Sequence, residues 1–383
     1  MNKIIIVGGD HHNGLNLARI FGLNGYEVIC YVVSDCKKSF VEPSRFISQF
    51  YKYSTETEAF DSVLKNYSDL DEKAFLIPYS DGAAMELDNR LDEFKEIFFV
   101  PSINHTQGEI SKLMDKKTQY EWAIANGIKM AESLSLNLLI PQKLPFSFPV
   151  ILKPEVSALG EKGDIVICDN EKAYLEAIED LKIKGYKSVV VQPYLTVDYE
   201  IDVFGCVCRN KDQITLFPTK TIRQWPLKKG TNCFSQTIIE ESVVEKCKNI
   251  IYKLKDIGFD GLYDAELLVI NNEVLLNEFN FRNSGDDYMV LSQNYFYPLV
   301  WVDDILGREK PYSLPEKPSV DNYSMTFFND YQQVRVKSIK FSDWLRDVGR
   351  TSDFALWYKK DFRPVFRYYW NGFAGKIKRL IHI

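Results

Sequence analysis

The sequence predicts an α/β domain followed by a larger α+β region, and three observations support this fold class. The chain opens with a strand, a glycine turn, a helix and a second strand within 33 residues, which is the order of a parallel βαβ unit. Residues 105–310 then combine amphipathic helices with paired strands. The 383 residues are 45% hydrophobic and 26% charged, which is too apolar for a disordered chain and too polar for a membrane bundle.

The first domain is predicted over residues 1–104. Residues 3–7 form an apolar run, as expected for a strand that is covered on both faces. The glycines that follow lack the G-x-G-x-x-G spacing, so they favour a tight strand–helix turn over a nucleotide loop. A helix ends at Gly25, and the later strands are predicted at residues 27–33, 74–78 and 97–100.

The second region is predicted over residues 105–310. The spacing of Thr106 and Glu109 predicts a capping box that opens a helix. The proline-containing stretch 310–318 is the predicted linker, and it leaves residues 311–383 as a C-terminal segment. Further helices are predicted at residues 116–126, 173–181 and 243–257, and strands at 149–153, 164–168, 188–192, 200–208, 262–270 and 274–282.

Charge and cysteine content exclude several classes of protein. The net charge of −6 argues against a general nucleic-acid binder. Seven scattered cysteines without a C-x-x-C pair predict no disulfide framework and fit a reducing compartment. No apolar run of signal-peptide or membrane-spanning length is present, so we expect a cytoplasmic protein.

Polar side chains on the last predicted hairpin indicate a metal site. Glu278, Asn280 and Arg282 alternate with apolar residues and therefore project from one strand face. Carboxylate and amide oxygens are ligands that Mg²⁺ prefers, and Arg282 can hold a phosphate or carboxylate. Glu266 on the partner strand faces Glu278 if the connecting loop is residues 271–273, so the magnesium hypothesis predicts that three-residue loop. The alternative is an exposed strand face with a ladder of charges.

A strand-end lysine marks a second candidate. Lys153 follows an apolar strand and precedes a Ser/Gly loop, residues 157–163. Such a loop can fold over phosphates and the lysine can reach them, although this signal taken alone favours a plain surface loop.

Taken in order, these pieces resemble the ATP-grasp superfamily, most closely its carboxylate–amine ligases, over roughly residues 1–310. The resemblance implies an ATP-grasp fold with an N-terminal Rossmann-like domain and a C-terminal appendage. The last motif is similar to the family's E-x-N-P-R signature with Phe281 in place of proline. The matching segments are residues 114–117, 148–154, 191–195, 198–200 and 277–282.

The resemblance implies ATP as cofactor, with two Mg²⁺ ions. Lys116, with Lys117 beside it, and Lys153 would contact the nucleotide, and Glu200 would accept from the ribose. Gln192 stands where many relatives have glutamate, so its side-chain contact to adenine is an open question. The covering loop would use Ser157, Gly160 and Gly163, the adenine hinge Gln192, Pro193, Tyr194 and Leu195, and the metal ligands would be Glu266, Glu278 and Asn280.

The implied reaction forms an amide through an acyl phosphate, with Arg282 beside the acyl-phosphate oxygen. Arg223 is the first candidate for the γ-phosphate and Lys220 the second, against a solvated strand and turn as the alternative. The sequence shows no Ser/His/Asp or Cys/His set, in agreement with a reaction that needs no enzyme nucleophile. The competing functions are a carboxylase or carbamoyl-type enzyme and a non-catalytic ATP-binding sensor.

Residues near predicted strand ends are the candidates for substrate binding, because ligands gather there in open α/β sheets. Solvated loops are the alternative for this group. We expect small-molecule carboxylate and amine substrates and no nucleic-acid partner, and dimers are common among relatives. The candidates are Gly9, Asp10, Arg19, Ser80, Asp81, Ser284 and Asp286.

The C-terminal segment is basic and aromatic. Residues 359–383 contain seven Lys/Arg and one acid, Asp361. The pattern predicts either an interfacial helix attracted to anionic lipid, at the inner face of the membrane, or a segment packed on the body through its aromatic face. Residues 360–364 also resemble the ends of ATP-grasp ligases of cell-wall and surface-polysaccharide assembly, so we expect a cell-envelope precursor as substrate.

Overall fold

The computed structural model describes residues 2–140, 144–155, 164–227, 230–238, 240–316, 318–319 and 322–381. Among these residues, no helix combines the length and the apolar character needed to cross a lipid bilayer.

The N-terminal domain is a five-stranded parallel sheet, which confirms the predicted βαβ opening. Its strand order is β3-β2-β1-β4-β5, and the apolar strands β1, β2 and β4 are almost completely buried. The elements are β1 Ile4–Gly9, α1 His12–Leu23, β2 Val28–Val33, β3 Gln49–Tyr53, α2 Glu56–Tyr67, β4 Ala74–Pro78, α3 Asp81–Asn89, α4 Leu91–Phe94 and β5 Phe98–Phe99.

Packing against an aromatic ring explains two glycines of the first turn. A Cβ atom on Gly8 or on Gly14 would lie 2.5 Å from the buried ring of Tyr79. The ring therefore lies directly on the backbone at the end of β1 and the start of α1. The structure favours the prediction of a tight strand–helix turn at this point.

Two short helices connect the domains. The predicted capping box is wrong, because α5 begins at Glu109 itself and has Gly108, with φ +84°, as its N-cap. The following helix, α6, is capped by Asp115, whose carboxylate accepts from the Thr118 N–H at 2.8 Å. The elements are β6 Ser102–Ile103, α5 Glu109–Leu113 and α6 Lys116–Ala125.

A four-stranded antiparallel sheet, in the order β7-β10-β8-β9, forms the small sheet. One face packs its apolar residues against α7. Because side chains alternate along a strand, Lys153 and Gln192 project from the opposite face. The elements are β7 Leu134–Asn137, β8 Val150–Pro154, β9 Val166–Cys168, α7 Glu171–Ile183 and β10 Ser188–Pro193.

The large sheet has the order β16-β15-β11-β13-β14-β17-β18, in which β17 (Tyr323–Met325) and β18 (Thr351–Phe354) belong to the C-terminal segment. Helix α8 covers one face with an apolar core, while the other face is apolar at one end and carries acidic side chains at the other. The elements are β11 Tyr199–Cys208, β12 Gln213–Ile214, β13 Phe217–Trp225, β14 Thr231–Thr237, α8 Glu241–Asp256, β15 Phe259–Ile270, β16 Glu273–Asn280, a 3-10 helix Asp287–Val290 and α9 Tyr297–Ile305.

The C-terminal residues extend the large sheet and also contact the N-terminal domain. Strand β17 pairs with β14, and β18 pairs with β17 in parallel. Helix α10 packs on β13 and β14. The elements are β17 Tyr323–Met325, α10 Phe327–Arg335, α11 Phe341–Arg350, β18 Thr351–Phe354 and α12 Arg363–Ile381.

Candidate active site

A β-bulge in the β15–β16 hairpin brings two glutamates together. The connecting loop is two residues, Asn271 and Asn272, both with positive φ (49° and 65°), so the predicted three-residue loop is wrong. Glu266 nevertheless pairs with Glu278, because the register shifts by one residue at Asn277. The bulge thus produces the arrangement that the longer loop was expected to give.

Oxygen ligands from the two strands lie on one face of this hairpin. Two positions along the hairpin, and therefore on the same face, Asp264 pairs with Asn280, which is buried. Lys116 donates to Glu278 Oε1 at 2.7 Å. The described residues contain no group of three His, Cys, Asp or Glu side chains arranged for a metal ion. The predicted ligand set, Glu266, Glu278 and Asn280, consists of two carboxylates and one amide.

The bulge residue connects this face to the small sheet. Asn277 donates through Nδ2 to Glu266 Oε2 at 3.0 Å and accepts at Oδ1 from Lys153 Nζ at 3.0 Å. Burial and the charge of Lys116 lower the pKa of Lys153. The nearby glutamates act in the opposite direction but do not cancel this shift in pKa. One amide therefore fixes the distance between the strand-end lysine and a candidate metal ligand.

A narrow cleft separates the two sheets at this point. Lysines line it from the small sheet and α6, and the bulged strand lines it from the large sheet. A wider cavity of about 510 Å³ shares Ser133 and Val190 with it. The cleft is lined by Lys116, Gln119, Met130, Ser133, Lys153, Val190, Gln192, Asn277 and Glu278.

The predicted hinge lies at the end of β10. The Gln192 amide lines the cleft and donates to Ser133 Oγ at 2.6 Å. The Tyr194 N–H donates to the Pro149 carbonyl at 3.0 Å, so it is engaged within the protein. Pro193 and Leu195 flank it and are partly exposed. Ser157, Gly160 and Gly163 of the covering loop lie outside the described residues.

Glu200 lies on the acidic face of the large sheet. Its carboxylate accepts from Gln224 Nε2 at 3.0 Å. Asp202, two residues further along β11, projects from the same face and pairs with Glu266 in the register. Burial and the charges of Asp286, Asp264 and Glu266 raise the pKa of Asp202 well above its usual range. The face concentrates negative charge, as a cation-binding surface does.

Arg223, the first candidate for the γ-phosphate, is directed elsewhere. Its guanidinium makes two 2.8 Å bonds to Asp330 and one of 2.5 Å to Asp347. Burial opposes its charge, but the two aspartates raise its pKa above the usual value. These contacts correct the prediction: Arg223 holds α10 and α11 onto the large sheet.

Lys220, the second candidate, projects from the wrong face of the sheet for a phosphate contact. It pairs with Ile201, whose side chain is buried on the α8 side, whereas Glu200 and Asp202 project from the other side. Its ammonium lies 4.0 Å from the Tyr199 ring centroid. The structure thus places neither basic candidate of β13 beside Glu278.

Arg282 connects the N-terminal domain to the large sheet. Its Nε donates to Asp81 at 2.9 Å and its Nη1 to Asp264 at 2.7 Å. Burial opposes its charge, while Asp81 and Asp264 raise its pKa. Asp81, a substrate candidate, is therefore an ion-pair partner in this structure, and Ser80 is the N-cap of α3, accepting from the Ala83 N–H.

Arg19 is fully buried, which corrects its prediction as a substrate residue. It forms an ion pair with Asp361 at 3.1 Å, and both side chains are inaccessible to solvent. It also donates to Asn16 Oδ1 at 2.8 Å and to the Leu356 carbonyl at 2.9 Å. The residue holds the C-terminal segment on the N-terminal domain.

The remaining substrate candidates differ in how they are held. Gly9 has open space where a Cβ would be, and Asp10 accepts from Ser39 Oγ at 2.6 Å. Ser284 is buried and accepts from the Asp286 N–H at 3.0 Å, so it stabilises a turn. Asp286 accepts from Asn232 Nδ2, 3.2 Å away, whose other acceptor is Asp202 at 3.5 Å.

Sequence reasoning gave no role to three residues of this site. Asp264 stands two residues before Glu266, and Asp202 stands two residues after Glu200; both glutamates were predicted site residues. That spacing puts them on the same strand face and was the available signal. Asn277 was hidden, because strict alternation places it on the opposite face from Glu278.

No protein-family model matches the chain. It is similar to the D-alanine–D-alanine ligase of Campylobacter lari, 26% identical over 220 residues, which are 55% of this chain and 62% of that protein. It is also similar to the D-aspartate ligase of Enterococcus faecium, 25% identical over 251 residues, 59% of this chain and 57% of that protein. The chain thus spans less than two-thirds of either relative.

A solved structure shares the architecture. The N5-carboxyaminoimidazole synthetase of Staphylococcus aureus, in complex with ADP, superposes with a TM-score of 0.62 at 17% identity. The superposition covers 82% of this chain and 81% of that one. At this identity the likeness establishes the fold.

Proposed function

We propose that this chain, which has the ATP-grasp fold and belongs to the ATP-grasp superfamily, is an ATP- and Mg²⁺-dependent ligase that joins a carboxylate to an amine. The observation that carries the proposal is the cleft lined by Glu278, Lys153 and Lys116. Glu266 lies next to it, paired with Glu278 and hydrogen-bonded to the lining residue Asn277. Carboxylates and lysines that face each other between two sheets suit a metal-bound triphosphate. The carboxylates can bind the metal cation, and the lysines can neutralise the negative charge of the phosphates.

The side chains present fit magnesium. Glu266, Glu278 and Asn280 offer hard oxygen atoms from adjacent strand positions, and Glu278 would exchange its ion pair with Lys116 for the metal. Lys116 would then be available to phosphate oxygens, together with Lys153. Bound Mg²⁺, with two ions proposed, supplies charge neutralisation at the phosphoryl group that is transferred.

The proposed reaction has two steps, and no protein atom forms a covalent bond in either. A substrate carboxylate oxygen attacks the terminal phosphorus of ATP, and ADP leaves. The amine nitrogen then attacks the acyl carbon, phosphate leaves and the nitrogen loses a proton. Arg282, which bonds to Asp81 and Asp264 where the N-terminal domain meets the large sheet, would hold the acyl-phosphate oxygens.

The proposed substrate is a cell-envelope or surface-polysaccharide precursor. Two sequence relatives are named as ligases of D-alanine and of D-aspartate, which supports an amino acid as one partner. The structural likeness to a carboxyaminoimidazole synthetase keeps carboxylation, with bicarbonate as the carboxylate, as the second candidate.

A screen of ADP release tests these functions. Amino acids are paired with carboxylate-bearing nucleotide sugars in the presence of ATP and Mg²⁺, and amide formation is followed by mass spectrometry. We expect ADP and phosphate in equal amounts, and only when a carboxylate and an amine are both present. Release driven by bicarbonate without a second carboxylate would support carboxylation, and tight ATP binding without release across the screen would support a sensor.

A further inference from the structure

An exposed row of aromatic side chains runs along the outside of α12. Phe366 and Trp370 are one turn apart and are 72% and 68% exposed. Phe362, just before the helix, is 44% exposed and contacts the exposed Trp357, with ring centroids 6.2 Å apart. We call these four residues the aromatic stripe. Two of its residues are on α12 and two lie just before it, and this grouping distinguishes the stripe from scattered surface apolar residues.

The opposite face of the helix is fixed to the body. Val365 is buried, and the Tyr368 ring packs 5.2 Å from that of Phe40 in the N-terminal domain. Arg367 pairs with Glu42 at 3.2 Å, and the Asn371 amide donates to the Lys38 carbonyl at 2.8 Å. The N-terminal domain thus covers one side of α12, and the aromatic stripe is exposed on the other side.

Basic residues lie next to the aromatic stripe in the sequence. Lys359, Lys360 and Arg363 are exposed beside it, and Asp361, the one acid in residues 359–383, is buried against Arg19. The surface therefore presents positive charge, although the whole chain carries −6.

We infer that the aromatic stripe and its basic neighbours dock this protein on an anionic lipid membrane. Aromatic and basic side chains on one face of a helix that lies in the interface plane are the combination that binds such surfaces. A second copy is the competing occupant, but a symmetric contact would bring two basic surfaces together. An anionic bilayer attracts the same charges. The inference concerns a surface remote from the cleft and does not depend on the proposed reaction.

Vesicle co-sedimentation of the full-length protein tests the inference. Phosphatidylcholine vesicles with and without phosphatidylserine are compared at low and high salt. We expect binding only to the anionic vesicles and a bound fraction that falls as salt rises, because salt screens the attraction. The triple variant Lys359→Gln/Lys360→Gln/Arg363→Gln should weaken partitioning about a hundredfold, at roughly 1 kcal/mol for each charge. The double variant Phe366→Ser/Trp370→Ser should also weaken it, because it removes apolar area from the contact.

Ile183→Ser is the matched control, because Ile183 is 83% exposed on α7, away from the aromatic stripe. It should bind as the unmodified protein does, and thermal unfolding checks that every variant is folded. Equal binding to neutral and anionic vesicles, or none to either, would overturn the inference. So would a dimer in solution that Phe366→Ser/Trp370→Ser converts to a monomer without any effect on vesicles.

Discussion

Replacing Glu278 with glutamine is expected to lower the rate of ADP release by about 10²- to 10³-fold or more, the range found when one preorganised electrostatic contact is lost. The amide keeps the size of the side chain but removes the charge that faces Glu266 and pairs with Lys116. A coupled assay of ADP release with the active substrate pair measures the rate. Calorimetric titration with MgADP measures whether nucleotide binding falls with it.

Glu273→Gln is the matched control for this substitution. Glu273 is on the same strand, but it is exposed at the turn and pairs with Lys129 at 2.7 Å, so its loss should change the rate less than about twofold. Thermal unfolding checks that the Glu278→Gln protein stays folded when Lys116 loses its ion-pair partner. A folded Glu278→Gln enzyme with normal turnover would remove the metal assignment.

Removing the carboxylate of Asp361 is expected to destabilise the protein by about 3–5 kcal/mol, because it leaves a buried charge without its partner. Arg19 and Asp361 are both inaccessible to solvent. Asp361 also accepts from Ser44 Oγ at 2.8 Å and from the Arg45 N–H at 3.0 Å. Chemical denaturation of Asp361→Ala, compared with the unmodified protein, measures the loss.

Glu42→Gln is the control, since it breaks the more exposed Arg367–Glu42 pair of the same segment and should cost less than about 1 kcal/mol. Combining Asp361→Leu with Arg19→Met should recover part of the stability, because neither charge then remains buried. A loss below about 1 kcal/mol in Asp361→Ala would show that this ion pair does not hold the C-terminal segment in place.

The metal face could be predicted from strand alternation, but its register could not be predicted from the loop alone. Asn271 and Asn272 are suited to the left-handed backbone of a two-residue turn. In a regular hairpin, that two-residue turn would put Glu266 and Glu278 on opposite faces of the sheet. The bulge resolves the conflict. Its signal is in the apolar spacing, because Leu276 and Phe279 are both buried although they are three residues apart.

The two misassigned arginines show that the ion-pair partners of a basic residue cannot be predicted from the sequence around it. Arg19 and Arg223 stand in segments where ligands often bind, but their partners are Asp361, Asp330 and Asp347. These acids follow more than a hundred residues later, and only the tertiary fold brings them together. A basic residue in a functional segment cannot be distinguished from an ion-pair partner until its neighbours are known.

The structure packs the C-terminal segment on the body, as one of its two alternatives predicted, while attraction to lipid stays a prediction. Val365 packs against the body while Phe366 is exposed. The sequence contained both sets of residues, but the choice of face depends on how Asp361 and Arg19 hold the start of the segment.

Crystallography with ADP and Mn²⁺ in place of Mg²⁺ tests the central proposal most directly, since the anomalous signal of manganese locates the ion independently of the nucleotide. We predict manganese bound by Glu266, Glu278 and Asn280, with the diphosphate between it and Lys153. Manganese and diphosphate bound together at a place remote from Glu278 would contradict the proposed site.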